Sequence, residues 1–316
     1  MPLSPYSARA ALVVAHPSHE LRLHGWLEQT RPYVCVLTDG GGRSNEPRLE
    51  RTTEVLARAG ATPGAIYGRL ADLDVYSSIL NGDAELFAAI VEELCQAFVD
   101  ERIEYVVGDA AEGYNVTHDI CRVMIGAAVE MAERRYDHRV QNFDFAVVGP
   151  PEECADEVRD EAIWLQLDDD AFNRKIDAAR SYTPKLATDI EAALGGAPFR
   201  GVFRFSQPQL AGDVDVEVST SVRAGVAFYP VLKKKHEELM DGVPLDAFRV
   251  ECLRPVDNLS GTQRTNGIPF YEFYGEKLVA AGRYEKVIRY EEHMLPLARA
   301  IQALAEREER CVGSAF

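Results

Sequence analysis

Three histidines in this 316-residue chain, His16, His19 and His118, have the types and spacing that suggest chemistry. An apolar run, Ala11 to Ala15, stops abruptly at His16-Pro17-Ser18-His19-Glu20. A second polar cluster, Thr117-His118-Asp119, follows much later. Imidazoles at 16 and 19 sit where the chain turns and can converge on one ion. His118 would add a third neutral nitrogen donor. Three histidines with an open fourth position form a catalytic zinc pattern.

Such a site needs elements that bring the two clusters together. Ala11 to Ala15 reads as a buried strand. Pro17 cannot continue a strand and suits the first turn of a helix. Leu21, Leu23, Trp26 and Leu27 give that helix an apolar face. Glu104 to Gly108 reads as another strand, and Ile120, Val123, Met124, Ala127, Ala128 and Met131 recur at helical spacing after His118. Each cluster therefore lies at a strand-to-helix junction. In a parallel sheet these junctions share the carboxyl edge, where open α/β folds place their sites.

On these residues the chain resembles the LmbE/PIG-L zinc N-deacetylases. That family carries Ala-His-Pro-Asp-Asp-Glu after its first strand and His-Pro-Asp-His after a later one. The matching stretches are Ala15-His16-Pro17-Ser18-His19-Glu20 and Asn115-Val116-Thr117-His118. Val36-Leu37-Thr38-Asp39-Gly40, Arg51 with Glu54, and Lys175 with Ala178 fit weaker motifs, so the resemblance covers roughly residues 9 to 195. It implies a metal site of His16, His19 and His118, with histidine in place of the family's aspartate ligand at 19. It also implies a departure in the acid/base set. Ser18 stands where the family has its general base, and Asn115 stands where it has an oxyanion-stabilising histidine.

Composition narrows the partners. The chain holds 34 basic and 51 acidic residues, a net charge of -17, which would repel nucleic acid and anionic membranes. The six cysteines show no C-x-x-C spacing, and several lie in apolar runs, as reduced core thiols of a cytosolic protein do. No 18-residue apolar segment appears, and Met1 to Arg9 lacks a signal-peptide apolar region. The expectation is a cytoplasmic protein acting on a small-molecule sugar or glycoconjugate, with homo-oligomer formation left open.

Along the chain, strands are predicted at 9–15, 33–37, 66–73 (strand and loop), 104–108 and 143–148. Helices are predicted at 19–29, 49–59 (ended by Gly60), 83–101 and from His118 onward. That order predicts an α/β fold, a Rossmann-like parallel sheet with helices on both faces. The glycine-rich loop from Asp39 lacks a phosphate-cradle signature, and its glycines suit close backbone approach to the metal or a substrate. After Pro150 an acidic helix is predicted at 152–160. Asp168-Asp169-Asp170 reads as a solvated helix start, and a further helix after Pro184 ends at Gly195-Gly196. Residues 199 to 230 alternate like strands. Lys233-Lys234-Lys235-His236 reads as an exposed helix start. The aromatic stretch Pro269 to Glu276 either stacks on a sugar or closes the core, and a final helix spans 295–307. The chain is divided at 195: residues 1–195 as the metal-site domain, and 196–316 as an appended mixed α/β C-terminal region packed on it.

The expected cofactor is one divalent metal, Zn2+ by preference, with Fe2+, cobalt or nickel also able to bind three imidazoles. Amide hydrolysis also needs a base and an acid. Asp39, Asp109, Glu112 and Asp119 are the nearest carboxylates, each equally suited to orienting a histidine. Glu112 is the first choice for a substitute base, Asp39 suits the orienting role best, and Asn115 could donate to an oxyanion. Arg51 and Ser18 are the expected substrate contacts. His24 and His138 read as surface residues, and His293 as undecided. The chain is thus expected to be a metal-dependent, deacetylase-like hydrolase of an N-acyl amino sugar. The alternative is a non-hydrolytic descendant that binds metal and carbohydrate, or uses the metal for another reaction.

Overall fold

The computed structural model describes residues 7–42, 47–197, 199, 242–256 and 268–306. Five strands form a parallel core: β1 (Ala10–Val14), β2 (Tyr33–Thr38), β3 (Thr62–Leu70), β4 (Tyr105–Asp109) and β5 (Gln141–Phe145). Two more, β6 (Ile163–Gln166) and β7 (Val250–Pro255), complete a seven-stranded sheet in the order β3-β2-β1-β4-β5-β7-β6. β7 runs antiparallel to both neighbours, from Phe143↔Pro255 on one side to Trp164↔Cys252 on the other. The fold is α/β, as predicted, and the sheet draws its seventh strand from beyond residue 195.

Burial on both faces follows from side-chain alternation. Leu12, Val14, Val34, Val36 and Val107 enter one core with Leu23, Trp26, Leu27 and Leu56. Ala11, Val13, Cys35, Leu37 and Val106 enter the other with Phe87, Leu94, Ile120 and Ile301. Each such Val, Leu, Ile or Phe side chain contributes roughly 1.5–3 kcal/mol by leaving water. The first face is covered by α1 (His24–Thr30) and α2 (Leu49–Ala59). The second is covered by α3 (Asp72–Asn81), α4 (Ala84–Asp100) and α5 (Val116–Tyr136). A third apolar cluster joins α6 (Asp169–Tyr182) and α7 (Pro184–Leu194) to Phe199, Val243 and Phe248. Two C-terminal helices, α8 (Phe270–Ala280) and α9 (Leu295–Ala305), close the second face. Among the described residues no helix is long and apolar enough to cross a membrane.

Local signals set many boundaries. Gly60 ends α2 in the left-handed conformation. Asp168 caps α6 by accepting from Ala171 N, so the triple aspartate is a helix start. Other expectations shift. Residues 152–160 form only a short 3-10 turn at Asp156–Val158, because the acidic run supplies no apolar stripe. The strand expected at 143–148 ends at Phe145, where its partner β4 also ends. The strand expected at 66–73 begins at Thr62, and Leu73 belongs to α3, which the sequence reading did not anticipate. Most of 199–230, and Lys233 to His236, lie outside the described residues. Phe199 itself bridges Val243.

Candidate metal centre

The connection from β3 to β4 crosses from one side of β1 to the other, so the chain diverges at the carboxyl ends of β1 and β4. Ligands bind at such a point in open α/β sheets. The chain leaves β1 through His16 and Pro17, and His19 opens a 3-10 turn, His19–Leu23, before α1. The helix expected at 19–29 is thus split, and its first part is the tighter form. Ser18 causes the split: its φ of 90° is left-handed, strained for a residue with a side chain. Glu20 holds the strained turn. Its carboxylate accepts from Ser18 N at 2.8 Å and from Thr52 Oγ1 at 2.8 Å, and Thr52 Oγ1 lies 2.8 Å from the Tyr182 hydroxyl. Burial pushes Glu20 up to about 7, against the hydrogen bonds it accepts.

His118 is placed by the start of α5. Asn115 Oδ1 accepts from Thr117 N at 2.8 Å and fixes the first turn. Gly108 lets α5 close on the sheet, because a Cβ there would lie 2.3 Å from Ile125 Cδ1 and 2.8 Å from Val13 O. The three imidazoles then meet. Ring centroids are 5.4 Å apart for His16 and His19, 5.3 Å for His16 and His118, and 4.7 Å for His19 and His118. All three are buried.

Carboxylates orient two of the rings. His19 Nδ1 lies 2.9 Å from Asp109 Oδ2, which also accepts from Ala15 N at 2.8 Å. His16 Nδ1 is hydrogen-bonded to Thr38 Oγ1 at 2.8 Å and lies 2.9 Å from Asp72 Oδ1, a close charge contact without hydrogen-bond geometry. Each arrangement leaves Nε2 facing away from the carboxylate, the usual way a ligating imidazole is held. One donor atom from each of His19, Asp109 and His118 falls within 4.8 Å of the others. Asp109 Oδ2 already serves His19 and Ala15, whereas its buried Oδ1 has no partner among the described residues, so Asp109 stands beside His19 and His118 as a potential donor, with His16 next to them. Neither ring nitrogen of His118 has a partner among the described residues. A fully buried imidazole without a hydrogen bond is costly unless something binds it, so the residues fit a metal.

The electrostatics favour the ligand form. Burial pushes His118 well below the ordinary imidazole range, and the neighbouring His19 and His16 push the same way. Burial also lowers His19, more than Asp109 raises it. Neutral imidazoles are the ones that bind metal.

Of the remaining candidates, Asn115 and Ser18 adjoin the cluster, and the others have partners of their own. Asn115 Nδ2 lies 3.5 Å from His16 Nε2, beside the cluster. Ser18 is buried within the turn. Asp39 Oδ1 accepts from Gly41 N at 2.8 Å. Asp72 and Asp109, rather than Asp39, lie against His16 and His19. Asp72 went unseen because its segment read as strand and loop, although an acidic residue at a helix start was the available signal. The glycine loop supports Asp72 through Gly42 N at 2.7 Å, and Gly40 is required because a Cβ there would lie 2.8 Å from Pro17 Cδ. Glu112 accepts from Val148 N at 3.0 Å. Asp119 accepts from Glu112 N and Gly113 N, and burial pushes it up to about 7 against those bonds. Arg51 is exposed on α2 and paired with Glu54 at 3.4 Å. Lys175 is buried, donating to Arg22 O at 2.7 Å and to Glu251 at 2.8 Å. His24 is buried, contrary to expectation, because α1 packs under α6. His293 Nδ1 accepts from Arg289 N at 3.0 Å in the turn before α9.

No family model and no curated protein matches the chain. Among solved structures the chain is similar to the antimicrobial reagent A40926 pseudoaglycone deacetylase Dbv21, at 18% identity over 55% of this chain and 81% of that one, with a TM-score of 0.38. At that similarity the functional reading rests on this chain's own residues.

Proposed function

We propose that the protein is a metal-dependent hydrolase of an N-acyl amino sugar or related sugar conjugate. The unpartnered, buried His118 beside two carboxylate-oriented histidines carries this reading. His16, His19 and His118 would hold the ion. A divalent metal bound there supplies a Lewis acid for an amide carbonyl and for the attacking water. Asp109 and Asp72 fix the two ring orientations. Asn115, held by its cap on α5, offers its amide N–H beside His16 to a developing oxyanion. Glu112 is assigned the proton from water, and its bond to Val148 N fixes where the carboxylate sits.

The test is metal content by elemental mass spectrometry on wild type and His19→Ala, purified without a metal-affinity tag, followed by acetate release from N-acetylated amino sugars. About one equivalent of zinc or iron, lost in His19→Ala, together with acetate release, supports the reading. A wild type that neither holds nor takes up metal sinks it.

Ser18 favours a second reading. A hydroxyl occupies the position where the resembling family has its base, and its backbone is tied into the Glu20 turn. A protein with that site would bind metal and a carbohydrate without hydrolysing it, or use the metal for another reaction. Metal uptake without acetate release, unchanged by Glu112→Gln, selects this second reading.

A further inference from the structure

A cavity of about 300 Å³ opens between α3, the start of α5 and the C-terminal helix α8. Its walls carry five tyrosines: Tyr76, Tyr114, Tyr271, Tyr274 and Tyr284. The rings are ordered. Tyr114 stacks on Phe270 with centroids 5.0 Å apart and planes 5° apart, and Phe270 stacks on Tyr274 at 5.8 Å and 14°. Tyr76 and Tyr284 lie nearly parallel, 6.4 Å apart. The Tyr271 side chain is buried, and its hydroxyl has no partner among the described residues. A buried tyrosine hydroxyl usually has one.

The cavity adjoins the metal centre. Asn115 lines it and places its amide 3.5 Å from His16 Nε2. Leu73 and Tyr76 line it from the helix that begins at Asp72, the partner of His16. Between the rings the walls are Leu80, Val116 and Leu278, with Ser77, Asn81, Glu285 and Lys286 also lining the cavity. The tyrosine walls suit a flat aromatic ring, and an oxygen substituent on that ring would give the Tyr271 hydroxyl the partner it lacks.

We infer that this cavity is the subsite for an aryl group attached to the sugar whose amide lies at the histidine cluster. The inference rests on the proposed amide-hydrolase reading, and selection for an aryl conjugate is what it adds. The size agrees with the lower end of small-ligand sites, roughly 300 Å³.

The experiment is calorimetric binding to the metal-loaded full chain. The probes are 4-methylumbelliferyl N-acetyl-β-glucosaminide, the methyl glycoside of the same sugar, and 4-methylumbelliferone alone. The aryl glycoside is expected to bind about 10-fold tighter than the methyl glycoside, as one good stacking contact gives. Ser77→Trp and Asn81→Trp, both from exposed positions that line the cavity, fill it and should erase the difference while circular dichroism and metal content stay at wild-type values. Equal affinity for the two glycosides, or an aryl advantage that survives both substitutions, overturns the proposal. Binding of 4-methylumbelliferone that Ser77→Trp abolishes, in a protein that takes up no metal, would keep the cavity and reject the hydrolase reading. Acetate release with no aryl preference would do the reverse.

Discussion

Two buried polar clusters lie on either side of the first 3-10 turn, and they are satisfied to different degrees. Lys175 and Glu251 are both nearly inaccessible, yet both are hydrogen-bonded. Lys175 Nζ donates to Glu251 and to Arg22 O, and Glu251 accepts from Gly25 N at 2.9 Å and Trp26 N at 2.7 Å. The pair links α6, β7 and the start of α1. The histidine cluster is equally buried, but both nitrogens of His118 and Asp109 Oδ1 have no partner among the described residues. A satisfied cluster is complete as architecture. What sets the histidine cluster apart is a buried imidazole with neither nitrogen bonded, packed against two other imidazoles.

Lys175→Met leaves Glu251 buried with its charge unpaired and should cost about 3–5 kcal/mol in urea denaturation, with no recovery on adding zinc. A loss below about 1 kcal/mol would show that the pair is not an architectural unit. His118→Ala should do the opposite. Metal uptake is abolished, while stability measured in a chelator changes much less than for Lys175→Met, because no intramolecular hydrogen bond is removed. Equal destabilisation by the two substitutions would mean that His118 is an ordinary core residue.

Smaller effects sharpen the picture. Asp109→Asn and Asp72→Asn should each weaken metal affinity roughly 10–100-fold in competition with a chelator, as loss of a histidine's orienting carboxylate does. Unchanged affinity in Asp109→Asn together with loss in Asp39→Asn would restore the orienting role to Asp39. The smallest effect is expected at Arg51→Ala. An exposed ion pair contributes less than about 1 kcal/mol, and the metal content should stay at the wild-type level. A large rise in KM for an amino-sugar substrate would instead place Arg51 in substrate binding.

Much of this was legible before any coordinates. The helix expected at 49–59 with Gly60 behind it has the observed bounds of α2, because a left-handed glycine cap is a local property. The convergence of His16, His19 and His118 followed from one rule, that parallel strands put their carboxyl ends on one edge. The acidic stretch around Asp156 misled because charge and length alone do not make a helix without an apolar stripe.

The sequence by itself determined the alternating strands and helices, the three histidines and the edge on which they meet. All of these depend on period, turn residues and chain order. Only the tertiary structure decided which carboxylates hold those histidines. Asp72 and Asp109 reach His16 and His19 from separate elements, while Asp39, nearer to His16 in sequence, turns back on its own loop. The aromatic cavity was decided the same way, by α8 folding back against Tyr114 and α3. Hydrogen bonds and ring contacts between distant segments depend on how elements pack to within a fraction of an ångström, and no local pattern along the chain encodes that.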